Sequence, residues 1–154
     1  RFVMCHALDL RSRLKLAPVT LPLADLLFTK LQVVQINEKD LRDTVAILLD
    51  HDVAATEGPE IVDAGYLARL GAEEWGVYTT LTDNLEKVRE FLPSLRLDPE
   101  IESRARDRLE RLRAMMDAES KGVGWRLRAK VGRRLIWYEL PEEPKTIPLG
   151  TDRG

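Results

Sequence analysis

The chain has 154 residues, 44% of them apolar and 32% charged, with a formal net charge of −2. That length and balance suit one globular domain with a real core rather than a chain disordered throughout. Apolar runs such as Val45 to Leu49 fall far short of the roughly 18 residues of a membrane span, and the single cysteine, Cys5, excludes an internal disulfide.

From the N-terminus, the residues through Leu8 are β-prone and apolar at nearly every position and read as a strand. The chain opens on Arg1 rather than a methionine, so it reads as a fragment or incomplete gene product whose upstream sheet is missing; a processed N-terminus is the alternative. Pro18 and Pro22 bracket an extended link, with Thr20 as a cap and Pro22 in the first turn of a helix reaching about Ile36. Asn37 has the character of an N-cap for a second helix, with Glu38 and Asp40 in its first turn and Ile47, Leu48 and Leu49 toward its buried side. Residues 52–59, which include Gly58 and Pro59, read as a loop. A third helix begins at Asp63 or Ala64 and runs to about Glu74. Trp75 and Gly76 introduce a fourth, in which Leu81, Leu85, Val88 and Leu92 recur at helical spacing until Pro93 ends it. Asp98 followed by Pro99 starts a fifth, whose mixed charges form a solvated face with local ion pairs. A sixth spans Gly124 to Trp137. The fold class expected is mainly α, a bundle of about five or six helices with a short N-terminal strand: one domain over 1–141 and a flexible tail over 142–154.

Charge is distributed unevenly. Residues 37–76 hold ten Asp or Glu and three Lys or Arg, whereas residues 121–138 hold six Lys or Arg and no acid. The asymmetry points to a charged partner or to the two segments packing together. Ahead of the acidic part, Lys30 stands in the apolar run from Leu26 to Leu31, where an unpaired ammonium taken out of water would be costly. Either Asp40 or Asp43 on the next helix meets it, or a phosphate-bearing ligand does. Alternatively, Lys30 snorkels from a helix edge, Asp40 favours the helix dipole, and Asp43 pairs with Lys39 or Lys30.

The lysine-bearing helix followed by Lys39, Asp40 and Asp43 resembles the later region of minimal nucleotidyltransferase-like proteins of the AbiEii/AbiGii toxin group. The runs from Pro22 to Gln32 and from Glu74 to Thr80 are similar to members of that group as well, and the resemblance covers roughly Phe2 to Pro141. It implies that the strand at the N-terminus is left from a nucleotidyltransferase-type α/β sheet, and that the complete protein uses Mg²⁺ and an NTP to transfer a nucleotidyl group, with an RNA acceptor and an antitoxin or other protein partner. Such a reaction needs acids to hold the metal and a cation to meet phosphate charge. By motif match, Lys30 would contact the triphosphate and Asp40 or Asp43 would orient it or complete the site; the spacing leaves open which. The family's Gly-Ser loop and metal-binding acids precede the region present here, and nothing between Arg1 and Pro22 supplies them. No metal ligands are therefore assigned, neither cofactor is expected to bind tightly, and the chain by itself is expected to be inactive.

Residues 125–138 form the remaining charged feature. Helical spacing places Leu127, Val131, Leu135 and Tyr138 on one face and Arg126, Lys130, Arg133 and Arg134 largely on another, although the alternation from Trp125 to Val131 also fits a strand. Those four cations are the candidate nucleic-acid contacts, following an RNA backbone with strongly salt-dependent binding; packing against the acidic segment, or plain solvation, is the alternative. A non-catalytic helical module binding RNA or a protein is thus the second functional reading. Asp50, His51 and Asp52 are metal-capable but adjacent, and suit a helix end better than one ion. Cys5 and His6, on opposite faces of a strand, do not form a dyad, and Cys5 fits a small core position. With one cysteine and no signal-like or lipidation motif, the protein is expected to be cytoplasmic, with no membrane partner.

Overall fold

The computed structural model describes residues 2–3, 5–8, 13, 21–56 and 58–140. Among these the fold is mainly α, with six α-helices and two small two-stranded pairings. The expected cap at Thr20, the link at Pro18 and the segment 142–154 lie outside the described residues.

The expected N-terminal strand is instead a hairpin. Strands β1 (Phe2–Val3) and β2 (Ala7–Leu8) pair antiparallel, Phe2 with Leu8 and Val3 with Ala7. Cys5 and His6 lie in the bend between them and are both buried, so the opposite-face argument, which presumed one continuous strand, does not apply to them.

Helix α1 (Leu23–Leu31) follows Pro22 and buries Ala24, Leu27, Phe28 and Leu31. It stops five residues before the expected Ile36. The cause is on a distant helix: Asn84 Nδ2 donates to the carbonyls of Leu31 and Val33, both at 2.8 Å, and Lys87 Nζ to that of Val34 at 3.4 Å. Carbonyls that would continue the helical ladder are thus engaged by side chains, and the chain turns. Asn37 then caps α2 (Glu38–Asp50), its Oδ1 accepting the Asp40 N–H at 2.9 Å, as its side chain and position predict. Ile47 and Leu48 are buried, and Leu49 is half-buried.

Residues 52–59 are not a plain loop. β3 (Asp52–Ala54) pairs in parallel with β4 (Ile61–Asp63), Val53 facing Val62, and both of these valines are fully buried. The intervening six residues can reach about 20 Å, enough to return along a three-residue strand of about 10 Å. Such short strands carry no alternation long enough to read from sequence.

Asp63 ends β4 and caps α3 (Ala64–Glu73) by accepting the Tyr66 N–H at 2.9 Å. Helix α4 (Trp75–Phe91) buries Val77, Leu81, Leu85 and Val88 and passes into a 3₁₀ turn (Leu92–Leu95) containing Pro93. Arg96, at φ 49°, reverses the chain. Helix α5 (Pro99–Ala118) starts where expected, although the Asp98 side chain makes no capping hydrogen bond. Its buried residues, Ala105, Leu109, Leu112 and Met116, form one stripe, and the helix packs on α3, α2 and α4.

Helix α6 (Val123–Val131) and a 3₁₀ turn (Gly132–Arg134) end the element order; residues 125–131 are helical, not a strand. The helix is shorter than expected because Gly132, at φ 59°, breaks it. It docks through Trp125 and Arg128. Trp125 donates from Nε1 to the Gly71 carbonyl at 2.8 Å and meets Tyr78 edge-on, and the Arg128 guanidinium lies 4.6 Å above the Trp75 ring. Leu127, Val131 and Leu135 are exposed.

Candidate functional site

Lys30 occupies the last turn of α1, where a cation complements the helix dipole. The turn pinned by Asn84 brings the start of α2 back against it. Lys30 Nζ lies 2.8 Å from Asp43 Oδ2 and 3.2 Å from Asp40 Oδ1, and Lys39 Nζ reaches Asp43 Oδ2 at 3.2 Å. All three expected residues therefore meet, and both aspartates engage the lysine. The side chains of Lys30 and Asp40 keep 21% and 16% of their surface in solvent, so the cluster sits at the edge of the fold rather than inside it.

The electrostatics follow from these contacts. Asp43's hydrogen bond, with further support from Asp40, raises the Lys30 pKa against the opposing effect of partial burial. The hydrogen bonds from Lys30 and then Lys39 lower that of Asp43. Two ammonium groups and two carboxylates make a neutral cluster in which Lys30 stays protonated at neutral pH. Two of its three N–H donors are engaged by carboxylates, leaving one for an incoming oxygen.

Asn84 was not distinguished by the sequence reading. Its position within the stripe of Leu81, Leu85 and Val88 was the available signal: a polar residue on a buried face needs partners. Its 1% exposure and two carbonyl contacts make it the residue that sets the α1–α2 elbow. Asp25, fully buried on α1, is likewise held by Arg13 at 2.9 Å, whose guanidinium lies over the Tyr66 ring.

A second buried polar cluster joins distant parts of the chain. The His6 N–H donates to Gln32 Oε1 at 3.1 Å, and His6 Nε2 is 2.9 Å from Thr80 Oγ1, which also accepts from Trp137 Nε1 at 3.1 Å. Burial lowers the His6 pKa from 6.5 to about 4, so the ring is neutral at pH 7. The Glu139 N–H donates to the Cys5 carbonyl at 3.2 Å. The segment after α6 thus straps the hairpin to α4.

The four expected nucleic-acid contacts divide. Arg126, Lys130 and Arg134 are exposed, whereas Arg133 pairs with Asp83 at 2.7 Å and lies 5.2 Å from the centre of the Trp137 ring. Asp83 belongs to α4, so this contact is not with the acidic segment 37–76. The segment 37–76 is met by Trp125 and Arg128 of α6, at the Gly71 carbonyl and the Trp75 ring rather than at its acids, and by α5: Arg108 donates to the Leu48 and Leu49 carbonyls at 2.9 and 2.8 Å, and Arg111 to that of Val53 at 3.0 Å.

Among the described residues, no group of three or more His, Cys, Asp or Glu is placed to hold a metal ion. His51 ends α2 with Nδ1 3.0 Å from Glu60 Oε2, without hydrogen-bond alignment, and Asp52 faces Arg108 and Arg111. Asp40 and Asp43, both engaged by Lys30, do not make a magnesium centre by themselves. No described helix is long and apolar enough to cross a membrane. Comparison of the chain with protein-family models, with curated proteins and with solved structures found no match.

Proposed function

We propose that the chain supplies the helical, phosphate-facing half of a nucleotidyl-transfer site, in which Lys30 meets the triphosphate of an NTP and Asp40 and Asp43 hold the lysine in place. The observation that carries this reading is a protonated lysine clamped between two carboxylates at the edge of the fold, with solvent access and one N–H free. Such a cation costs little to reorganise when phosphate charge approaches, because its orientation is already set. In this reading the carboxylates orient the lysine, and the acids that the reaction needs to bind metal are supplied by groups other than these three.

The test is binding of labelled NTPs to the purified chain, with Lys30→Ala and Lys30→Arg beside the wild type. Weak binding that falls about tenfold or more in Lys30→Ala, ~1.4 kcal/mol, and partly returns in Lys30→Arg is the expected result. Equal binding by wild type and Lys30→Ala removes the reading. Incubation with α-phosphate-labelled NTP and Mg²⁺ should leave no label transferred by the chain alone.

A further inference from the structure

All six large hydrophobic side chains that are exposed among the described residues lie between positions 123 and 140: Val123, Leu127, Val131, Leu135, Ile136 and Leu140, from 38% to 82% exposed. The other large apolar side chains whose burial is described are buried or half-buried, so this concentration marks a surface with a use. On α6, Val123, Leu127 and Val131 follow one another at intervals of four and form a ridge. Arg126 and Lys130 form the adjoining ridge, and Arg134 follows in the 3₁₀ turn beyond the helix. Among the described residues these three cations have no ion pair or side-chain hydrogen bond, in contrast to Arg133. The opposite side of the helix is held down by Trp125 and Arg128, so the outer face is presented without a further ordering cost.

We infer that this face docks an acidic amphipathic helix of a partner protein. Apolar ridges at intervals of four pack into the matching grooves of a second helix, and unpaired cations on one flank call for Asp or Glu beside the partner's aliphatic ridge. Nucleic acid fits less well: Trp125 and Trp137 turn inward onto Tyr78 and Trp75, leaving no stacking platform, while aliphatic groups would face phosphates. A second copy related by a two-fold axis would set like cations against each other. A lipid surface is matched poorly by a nine-residue helix whose aromatic residue is engaged inward and whose unpaired cations lie along one ridge.

Two synthetic helical peptides test this, sharing one leucine ridge but flanked by Glu in one and Lys in the other. Fluorescence anisotropy should show the acidic peptide binding at least about tenfold more tightly than the basic one, with weakening as salt rises. Leu127→Asp combined with Val131→Asp should abolish binding. Arg126→Glu, Lys130→Glu and Arg134→Glu together should invert the preference toward the lysine peptide. These side chains are exposed, and circular dichroism with a urea titration establishes that each variant is folded. Equal binding of the two peptides, binding of neither, or preferential engagement of an RNA hairpin, a phosphatidylserine vesicle or a second copy through the same residues overturns the inference.

Discussion

At Lys30 the chain gives a buried-edge charge two partners instead of one, and each contact has a direction in pH. Asp43's pKa is lowered from its ordinary 3.8 by Lys30 and Lys39, so its stabilising contribution is present above that value and disappears as pH falls through the folded-state pKa. Lys30 is raised above 10.5; its contribution is present below that value and disappears only as alkaline pH passes the folded-state pKa. Urea midpoints measured from neutral pH downward should therefore show a decline in the acid range that is shallower in Asp43→Asn. His6 acts in a different window. With a folded pKa of about 4 against 6.5, the unfolded chain takes up the proton first, and stability is lost as pH falls from 6.5 toward 4. His6→Gln, which keeps a polar group near Thr80 but does not titrate, should flatten that part of the curve whatever its effect at neutral pH. The lysine and its acids were legible in the sequence because charges in or beside apolar runs demand partners. The His6, Thr80 and Trp137 cluster was not, since its members are 74 and 57 positions apart and each is ordinary in its own segment.

At the level of elements, the Asn37 cap was legible from a local signal, whereas Gly132, an equally local breaker, was not, and Asp98 starts α5 without a capping hydrogen bond. Asn37 caps α2 with its own side chain, and Asn37→Ala should lower stability by about 0.5–2 kcal/mol in a urea titration, with Asn37→Asp close to wild type. The end of α1 was misplaced because a side chain from α4, not a local breaker, claims its carbonyls. The β3–β4 pair was missed because three-residue strands exist only through their partner. Gly76 shows the same dependence on distant contacts: a Cβ there would stand 2.8 Å from the Trp137 carbonyl oxygen and 3.2 Å from its Cβ. Gly76→Ala should displace the strap, shifting tryptophan emission to longer wavelength while α4 itself remains helical. Emission identical to wild type would mean that the strap tolerates the methyl group.

Across the whole molecule, the core gathers side chains from five of the six helices and from the small parallel sheet. Leucines make its logic visible. Leu112 is fully buried on α5, and Leu112→Ala should cost about 2–5 kcal/mol through lost contacts and the space left behind. Leu127, 57% exposed on α6, should change stability by no more than about 0.5 kcal/mol on the same substitution. Denaturant midpoints of the two variants check the pair together. The sequence by itself determined what depends on near neighbours: a mainly α chain, the Asn37 cap of α2, the stripes of α4 and α5, and the proximity in sequence of Lys30 to Asp40 and Asp43. Only the tertiary structure decided that both aspartates grip the lysine, that Asn84 bends the chain to allow it, and that α6 docks through Trp125 and Arg128 while its leucine and valine ridge faces outward. Periodicity shows that a helix has distinct faces, but which face is buried depends on the shape and hydrogen-bonding groups of surfaces brought together from elsewhere in the chain.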